Sequence, residues 1–168
     1  MREMYITDGF VGLYEYVSDT DAIDFYHCWQ DEDTQRGYNF VFNKSFDEFK
    51  NGGVNSRFTF TIIRISDNTP VGGIFLSNGD LPDLAIMIFK PYRHMRYGTA
   101  AFKLGVKYSF EVLNLNTIYA GCYPDNKSSR KMIENCGFIP NPAGDIDEKH
   151  YITDEDIIQH DFVIHKEQ

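Results

Sequence analysis

Hydrophobic residues follow two different periods along this chain, and the change between them comes near residue 90. In the middle of the chain, β-branched and aromatic residues form short runs separated by Asp, Asn, Gly and Pro, a pattern typical of an antiparallel meander. From about residue 97 to residue 113 the apolar positions instead recur three and four residues apart, as on one face of a helix. We therefore predict strands at residues 58–65, 71–76 and 84–89, followed by a helix at 97–113.

Turn signals separate the three strands. The segment Ser66-Asp-Asn-Thr-Pro70 ends the first strand, and Asn78-Gly79 is a strong hairpin signal after the second. Residues 84–89 are apolar at every position, which favours a strand buried on both faces. We expect this strand to run antiparallel to residues 71–76.

The N-terminal part reads as a strand followed by helices. Residues 12–17 are a strand candidate, and Asp19-Thr-Asp21 is expected to cap a helix that runs toward Trp29. A second short helix is predicted from Ser45, and Asn51-Gly-Gly53 is expected to end it.

The C-terminal part contains another strand and another helix. The strand is predicted at 117–123 and the helix at 126–136, with Asp125 as its N-cap and Gly137 at its end. A last strand pair is expected between residues 160–165 and either 138–139 or 151–152. Residues 141–149 are predicted to form a loop.

The helix at 97–113 joins two strands that should be parallel, since a strand, helix and strand form a right-handed crossover. The loops after the two strands then lie at one edge of the sheet, where two helix N-termini face a common crevice. The predicted fold is α/β (α+β), with a mixed, mostly antiparallel central sheet, one parallel βαβ crossover and helices on both faces. We expect a single domain over residues 1–168.

Composition narrows the class of function. The chain carries 25 acidic and 16 basic residues, a net charge of -9, so nucleic acid and membrane surfaces are not expected partners. This acidity either attracts a cationic substrate or only aids solubility. The three cysteines are odd in number and widely spaced, which predicts neither a disulfide framework nor a metal site and favours a cytoplasmic location. The N-terminus has no long apolar segment, so no signal peptide is expected.

One basic segment contrasts with this acidic background. Between residues 90 and 101 the chain carries Lys90, Arg93 and Arg96 and no acidic residue. The segment joins a predicted strand to the start of a predicted helix, where unpaired N–H groups and the helix dipole favour anions. This arrangement predicts a phosphate-binding site.

These residues resemble the GNAT superfamily of N-acetyltransferases, and within it the RimJ/RimL-like branch. The segment Arg93-His-Met-Arg-Tyr-Gly-Thr-Ala100 is similar to the acetyl-CoA signature of that family, with Arg96 where the signature has its first glycine. A second similarity is Asn126-Lys-Ser-Ser129 followed by Gly137-Phe138. Three further segments are similar to this branch: Trp29-Gln-Asp-Glu, Phe46-Asp-Glu-Phe and Val71-Gly-Gly-Ile-Phe-Leu.

The resemblance implies a set of residues that bind acetyl-CoA. The backbone N–H groups from Met95 to Ala100 would hold the pyrophosphate, and the strand from Met87 to Phe89 would pair with the pantetheine arm. Arg93, Arg96 or Lys103 would add charge-assisted bonds to phosphate. The implied cofactor-binding residues are Met87, Ile88, Phe89, Arg93, Met95, Arg96, Tyr97, Gly98, Thr99, Ala100, Asn126 and Ser129, with no metal ion.

The resemblance also bears on catalysis. The tyrosine that serves as acid in much of the family is replaced here by Ile133, so Ser129 is the candidate donor to the departing sulfur. The branch's glutamate falls on Leu84, and its neighbour Asp83 is the candidate base, although Asp80 and His94 remain open. Ser129 could instead be a small packing residue, and Asp83 could instead be a turn residue.

The expected activity is the transfer of an acetyl group from acetyl-CoA to a primary amine by direct attack. The acceptor could be a protein N-terminus, a polyamine or another cationic small amine, and a homodimer is possible. Alternatives are a non-catalytic acyl-CoA-binding sensor or regulatory module, and a nucleotide-binding fold that does not use CoA.

Overall fold

A computed structural model describes residues 1–167, and its strands form two sheets. The first sheet is an antiparallel meander in chain order, and the sequence predicts all of its strands except the first to within two residues. Its strands are β1 (Met4–Thr7), β2 (Val11–Glu15), β3 (Ser56–Arg64), β4 (Thr69–Ser77) and β5 (Leu84–Ile88). Gly79 adopts a φ of 110° in the turn between β4 and β5, so the predicted hairpin position is right.

The second sheet is built around the C-terminal strand. Its strands are β6 (Thr117–Cys122), β7 (Ile139–Pro140), β8 (Ile146–Lys149) and β9 (Asp156–His165). Of the two partners left open for the last strand, Ile139 pairs with β9. The predicted loop over residues 141–149 is wrong, because β8 lies antiparallel to β9. That strand is largely exposed and carries three charged residues in four, so it shows no apolar run in the sequence.

In the described part of the chain, five α-helices cover the sheets: α1 (Ser18–Gln30), α2 (Glu32–Tyr38), α3 (Phe46–Asn51), α4 (Tyr97–Glu111) and α5 (Lys127–Asn135). The main core lies between α4 and the sheets, and a smaller cluster around Phe25 and Met87 lies on the opposite face beneath α1. Helices on both faces are therefore confirmed. No helix within residues 1–167 is both long enough and apolar enough to cross a membrane.

The helix starts show where local sequence signals hold and where they fail. The predicted start of α3 at Ser45 is confirmed, and Ser45 caps the helix in a reciprocal pair with Glu48. By contrast, Val17 is the N-cap of α1. Asp21 lies inside the first turn, where its buried carboxylate accepts hydrogen bonds from the Val17 N–H and the Thr61 hydroxyl. Helix α2 is absent from the sequence prediction because its seven residues carry no apolar stripe.

Strands β5 and β6 run parallel, as the crossover predicts, but they touch at one point only. Asp83 and Tyr119 form an isolated parallel bridge, and the Tyr119 N–H donates to the Pro82 carbonyl at 2.9 Å. Beyond this bridge the strands diverge into separate sheets. Strand β5 therefore has a neighbour on one side only, and Ala85, Ile86 and Ile88 are partly exposed, so the prediction of burial on both faces is only partly right.

Candidate active site

The divergence of β5 and β6 opens a cleft of about 520 Å³. The N-terminal ends of α4 and α5 face it from one side, and residues of α2 line the other. Ten of the predicted site residues line this cleft: Asp83, Met87, Ile88, Arg93, Arg96, Tyr97, Gly98, Thr99, Asn126 and Ser129. Phe89, Met95 and Ala100 were predicted to bind the cofactor but do not line it.

A run of backbone N–H groups at the start of α4 is free to bind a ligand. Within the described residues, no protein acceptor receives a hydrogen bond from the N–H groups of residues 94–99, whereas the Ala100 N–H donates to the Arg96 carbonyl at 3.2 Å. No side chain caps this helix. The free donors thus begin one residue earlier than the predicted Met95–Ala100 segment and end at Thr99, because Ala100 already belongs to the helical ladder.

The turn that presents these donors has an unusual backbone. His94 and Arg96 adopt φ values of 61° and 68°, in the left-handed region that L-residues other than glycine rarely occupy. Arg96 holds the position where the acetyl-CoA signature has glycine, so the backbone keeps a conformation suited to glycine while the residue has changed. Holding a side chain there costs roughly 1–2 kcal/mol.

The contacts and backbone angles at position 98 do not explain why this residue is glycine. A Cβ at this position would meet Met132 Sδ at 3.4 Å and Ile88 Cγ1 at 3.6 Å, which are ordinary contact distances. Its φ is not in the left-handed region. Since Gly98 lines the cleft, the missing side chain leaves room for a ligand to approach the free N–H groups.

The side chain of Arg93 is held by protein groups. Its guanidinium donates to the Asp31 carboxylate at 2.8 Å, to the Thr34 hydroxyl at 2.9 Å and to the Ile88 carbonyl at 3.0 Å. Asp31 is also the N-cap of α2. Arg93 therefore ties the loop to α2 and β5, and its predicted bond to phosphate stays a prediction.

The unpaired edge of β5 faces the cleft, and only some of its backbone N–H and C=O groups have hydrogen-bond partners. The Phe89 N–H donates to Val71 in β4 at 2.9 Å, so by alternation Leu84, Ile86 and Ile88 turn their backbone polar groups toward the gap. The carbonyls of Ile86 and Ile88 already accept hydrogen bonds from the Tyr38 hydroxyl and from Arg93. The N–H groups of Ile86 and Ile88 remain as donors.

Helix α5 contributes a polar residue to an otherwise apolar stripe. Asn126 caps the helix by accepting from the Ser129 N–H at 3.1 Å, so the predicted cap at Asp125 is wrong. Ser129, Met132, Ile133 and Cys136 face inward, whereas Lys127, Arg130, Lys131 and Glu134 are exposed. Ser129 lies in the cleft wall.

Asp83 lies where β5 and β6 come together. Its backbone N–H donates to the Ser77 hydroxyl, and no group among residues 1–167 donates to its carboxylate. Burial, reinforced by the negative charge of Asp161, raises the pKa of Asp83 to about 7. A carboxylate with this pKa can accept a proton near neutral pH.

Comparison with protein families decides the class. Residues 2–139 match the family model described as the acetyltransferase (GNAT) domain. This chain belongs to the GNAT acetyltransferase family.

Solved structures of other GNAT proteins share the fold. An acetyltransferase of the GNAT family from Bacillus anthracis is 19% identical, with a TM-score of 0.81 over 97% of this chain and 98% of that chain. Spermidine N-acetyltransferase from Vibrio cholerae, solved with CoA and spermine, is 17% identical, with a TM-score of 0.81 over 94% and 96% of the two chains. A candidate ribosomal-protein-serine acetyltransferase from Vibrio cholerae is 18% identical, with a TM-score of 0.72 over 98% of each chain. A comparison with curated protein sequences found no match.

The cleft of this GNAT chain fits the acetyl-CoA that the family uses. The free N–H groups at residues 94–99 suit a diphosphate, the open space at Gly98 allows close approach, and the two donors on β5 suit the amides of an extended arm. His94 and Arg96 add basic side chains to the same wall.

The sequence assigns no role to three residues of the site. Tyr38 lies in α2, and its hydroxyl donates a hydrogen bond of 2.6 Å to the Ile86 carbonyl. Tyr123 donates to Glu148 at 2.5 Å, and burial followed by this hydrogen bond raises its pKa. Gln159 reaches the cleft from β9. The N-cap pattern of Asp31 with Thr34 could have indicated α2 and thereby Tyr38, whereas the roles of Glu148 and Gln159 depend on β8 and β9.

Proposed function

We propose that this chain is an N-acetyltransferase of the RimJ/RimL-like branch that moves an acetyl group from acetyl-CoA to a primary amine by direct attack. The observation that carries the proposal is one cleft that contains both a run of free N–H groups at residues 94–99 and a carboxylate, Asp83, whose pKa is about 7. The first feature suits the donor of the acetyl group, and the second suits the deprotonation of an amine.

Binding of acetyl-CoA would use the backbone more than side chains. The N–H groups of residues 94–99, at the positive end of α4, would hold the diphosphate. The N–H groups of Ile86 and Ile88 would bind the pantetheine arm like an added strand. The carbonyls of the same two residues are already engaged by Tyr38 and Arg93, so β5 would act mainly as a hydrogen-bond donor.

Asp83 would act as the general base. An alkyl ammonium group has a pKa near 10 and must lose a proton before its nitrogen can attack. The ionised Asp83 carboxylate would take this proton, the nitrogen would form the new bond to the acetyl carbon, and the bond from that carbon to sulfur would break. Because no group within residues 1–167 donates to this carboxylate, it remains available to the substrate.

Ser129 would stabilise the departing sulfur. It lies in the cleft wall on α5, and Ile133 fills the position where much of the family has an acidic tyrosine. The Ser129 hydroxyl would donate a hydrogen bond to the thiolate, which then takes up the second proton lost by the attacking nitrogen. A single donor aimed at developing charge contributes roughly 10²-fold or more to a rate.

The acceptor is proposed to be a cationic amine, either a small molecule or a peptide. The net charge of -9 favours the approach of a cation and disfavours nucleic acid. We also propose a cytoplasmic location and a homodimer as the form to test in solution.

Amine-dependent release of CoA tests the proposal. Purified protein, acetyl-CoA and a panel of primary amines are mixed, free thiol is measured with a chromogenic disulfide, and mass spectrometry detects a gain of one acetyl group on the amine. We expect thiol release that requires both protein and amine. Tight CoA binding without turnover of any amine would instead favour the sensor, which the comparisons do not support.

A further inference from the structure

A second cavity, of about 430 Å³, lies on the α1 face of the first sheet. It shares two lining residues with the cleft, Asp83 and Ala85. The side chains of these residues leave the same face of β5, because they are two positions apart on the strand. The two cavities therefore share the Asp83 side chain in their walls.

Five of the fifteen residues that line this second cavity are aromatic. Phe25, Trp29, Phe49 and Phe75 line it, and Phe25 packs edge-on against Phe75 with ring centroids 6.0 Å apart. Thr59 lies opposite Phe75 in the neighbouring strand, and Phe75 lies opposite Ala85. These three residues form a row across the sheet that ends beside Asp83.

Charged groups are few in this cavity. Among the lining residues that the structure describes, Asp83 is the one acidic side chain and Lys50 the one basic side chain. Lys50 is paired with Asp19 at 2.9 Å. A ligand with one ammonium group can place it at Asp83, but a second or third ammonium group would find no further carboxylate among the described lining residues and would be repelled by Lys50.

We propose that this aromatic cavity is the acceptor site and that it selects a monoamine with an apolar body over a polyamine. The inference rests on the proposed acetyl transfer and names its substrate class. The amine nitrogen binds at Asp83, the apolar body packs between Phe25, Trp29 and Phe75, and the acetyl group reaches the nitrogen from the adjoining cleft. Burial of the apolar body supplies the binding free energy.

The test compares amines and fills the cavity. The probes are 2-phenylethylamine, spermidine and a short peptide with a free N-terminus. We expect kcat/KM for 2-phenylethylamine to exceed that for either other probe at least tenfold. The variant Thr59→Phe fills the row beside Phe75 and should lower kcat/KM for 2-phenylethylamine at least tenfold. Thr59 lies outside the cleft lining, so the Kd for CoA should change less than twofold.

Two further variants keep the outcome decisive. Ser66→Phe places the same ring on the exposed turn between β3 and β4 and should leave all kinetics unchanged. Val54→Trp adds bulk at the exposed rim of the cavity and replaces Thr59→Phe if that variant fails to fold. A preference for spermidine or the peptide, or full activity in the filled variant, overturns this inference while the proposed acetyl transfer stands. Failure to bind CoA or to acetylate any amine overturns the proposed function itself.

Discussion

The guanidinium of Arg93 donates a hydrogen bond of 2.8 Å to the carboxylate of Asp31. Asp31 is the N-cap of α2, and Arg93 comes directly before the turn that presents the free N–H groups. One ion pair therefore fixes the phosphate turn relative to the helix on the opposite wall of the cleft. Burial pushes the pKa of Asp31 upward, but the hydrogen bond and charge of Arg93 outweigh it and hold the pKa below its usual range.

Breaking this pair should destabilise the protein and loosen the cleft. The Asp31 and Arg93 side chains are only 12% and 21% exposed, so Arg93→Gln leaves the Asp31 carboxylate with Lys90, at 3.4 Å, as its remaining cationic partner. We expect a loss of about 2 kcal/mol in the free energy of unfolding, measured in urea. This value lies between the losses typical of exposed and of fully buried ion pairs, because this pair is partly buried. We also expect the KM for acetyl-CoA to rise about tenfold.

The exposed pair Arg130 with Glu134 provides the control, since Arg130→Gln should cost less than about 0.5 kcal/mol. A depressed carboxyl pKa stabilises the fold above the pKa of the unfolded chain. The difference between the parent protein and Arg93→Gln should therefore shrink as the pH falls below about 4. A difference that does not change with pH would contradict this role of Asp31.

Asp83→Asn tests the proposed base through the pH dependence of the rate. With a base of pKa about 7, kcat/KM of the parent protein should rise about tenfold per pH unit below pH 7 and level off above it. The variant keeps the shape of the side chain but cannot accept the proton. We expect kcat/KM to fall by a factor of at least roughly 10² and to show no inflection near pH 7. An unchanged profile would assign the base elsewhere.

The same variant should be more stable than the parent at high pH. The pKa of Asp83 is raised in the folded state, so its contribution to stability is complete at low pH and is lost as the pH rises from about 4 to about 7. Asp83→Asn removes this loss. We expect equal stability near pH 4 and a gain of roughly 2 kcal/mol at pH 8, measured by denaturation in urea at both pH values.

Arg96 tests whether the turn binds through its backbone. Arg96→Gly relieves the left-handed φ of 68° and should stabilise the fold by about 1 kcal/mol relative to Arg96→Ala, which keeps the strain. Both variants lack the charge. If the backbone is the main ligand, their Kd values for CoA, measured by calorimetry, should stay within about fivefold of the parent value. A loss of 100-fold in both would show that the guanidinium is the principal phosphate ligand.

Ser129 tests the stabilisation of the leaving group. Ser129→Ala should lower kcat by about 10²-fold and leave the KM for acetyl-CoA nearly unchanged, because the hydrogen bond forms as charge develops on sulfur. Ser129→Thr retains a hydroxyl and should recover most of the rate. Equal rates in all three proteins would mean that Ser129 is a small residue in the packing of α5.

The sequence predicts the frame of the site because its signals are local and periodic. The period change near residue 90, the hairpin at Asn78-Gly79 and the helix start at Ser45 each depend on a few neighbouring residues, and each is confirmed. The cap of α5 was placed one residue too early because Asp125 and Asn126 both suit that position.

The remaining features depend on contacts between distant residues. Helix α2 is held by the bonds of Asp31 and Thr34 to Arg93, about 60 positions along the chain. Strand β8 exists because β9 offers it an edge. The high pKa of Asp83 reflects burial and Asp161, which no local pattern reveals. The aromatic cavity likewise collects residues from α1, α3, β3, β4 and β5.

An NMR titration of the ¹⁵N-labelled protein with CoA tests the central claim most directly, because it reports on individual backbone N–H groups. We predict saturable binding with the largest amide shifts at residues 94–99 and further shifts at Ile86 and Ile88, whose N–H groups face the cleft. The amide of Ala100, already bonded to Arg96, should shift less than those of Gly98 and Thr99. Absence of binding, or saturable binding that leaves residues 94–99 unshifted, would contradict the account.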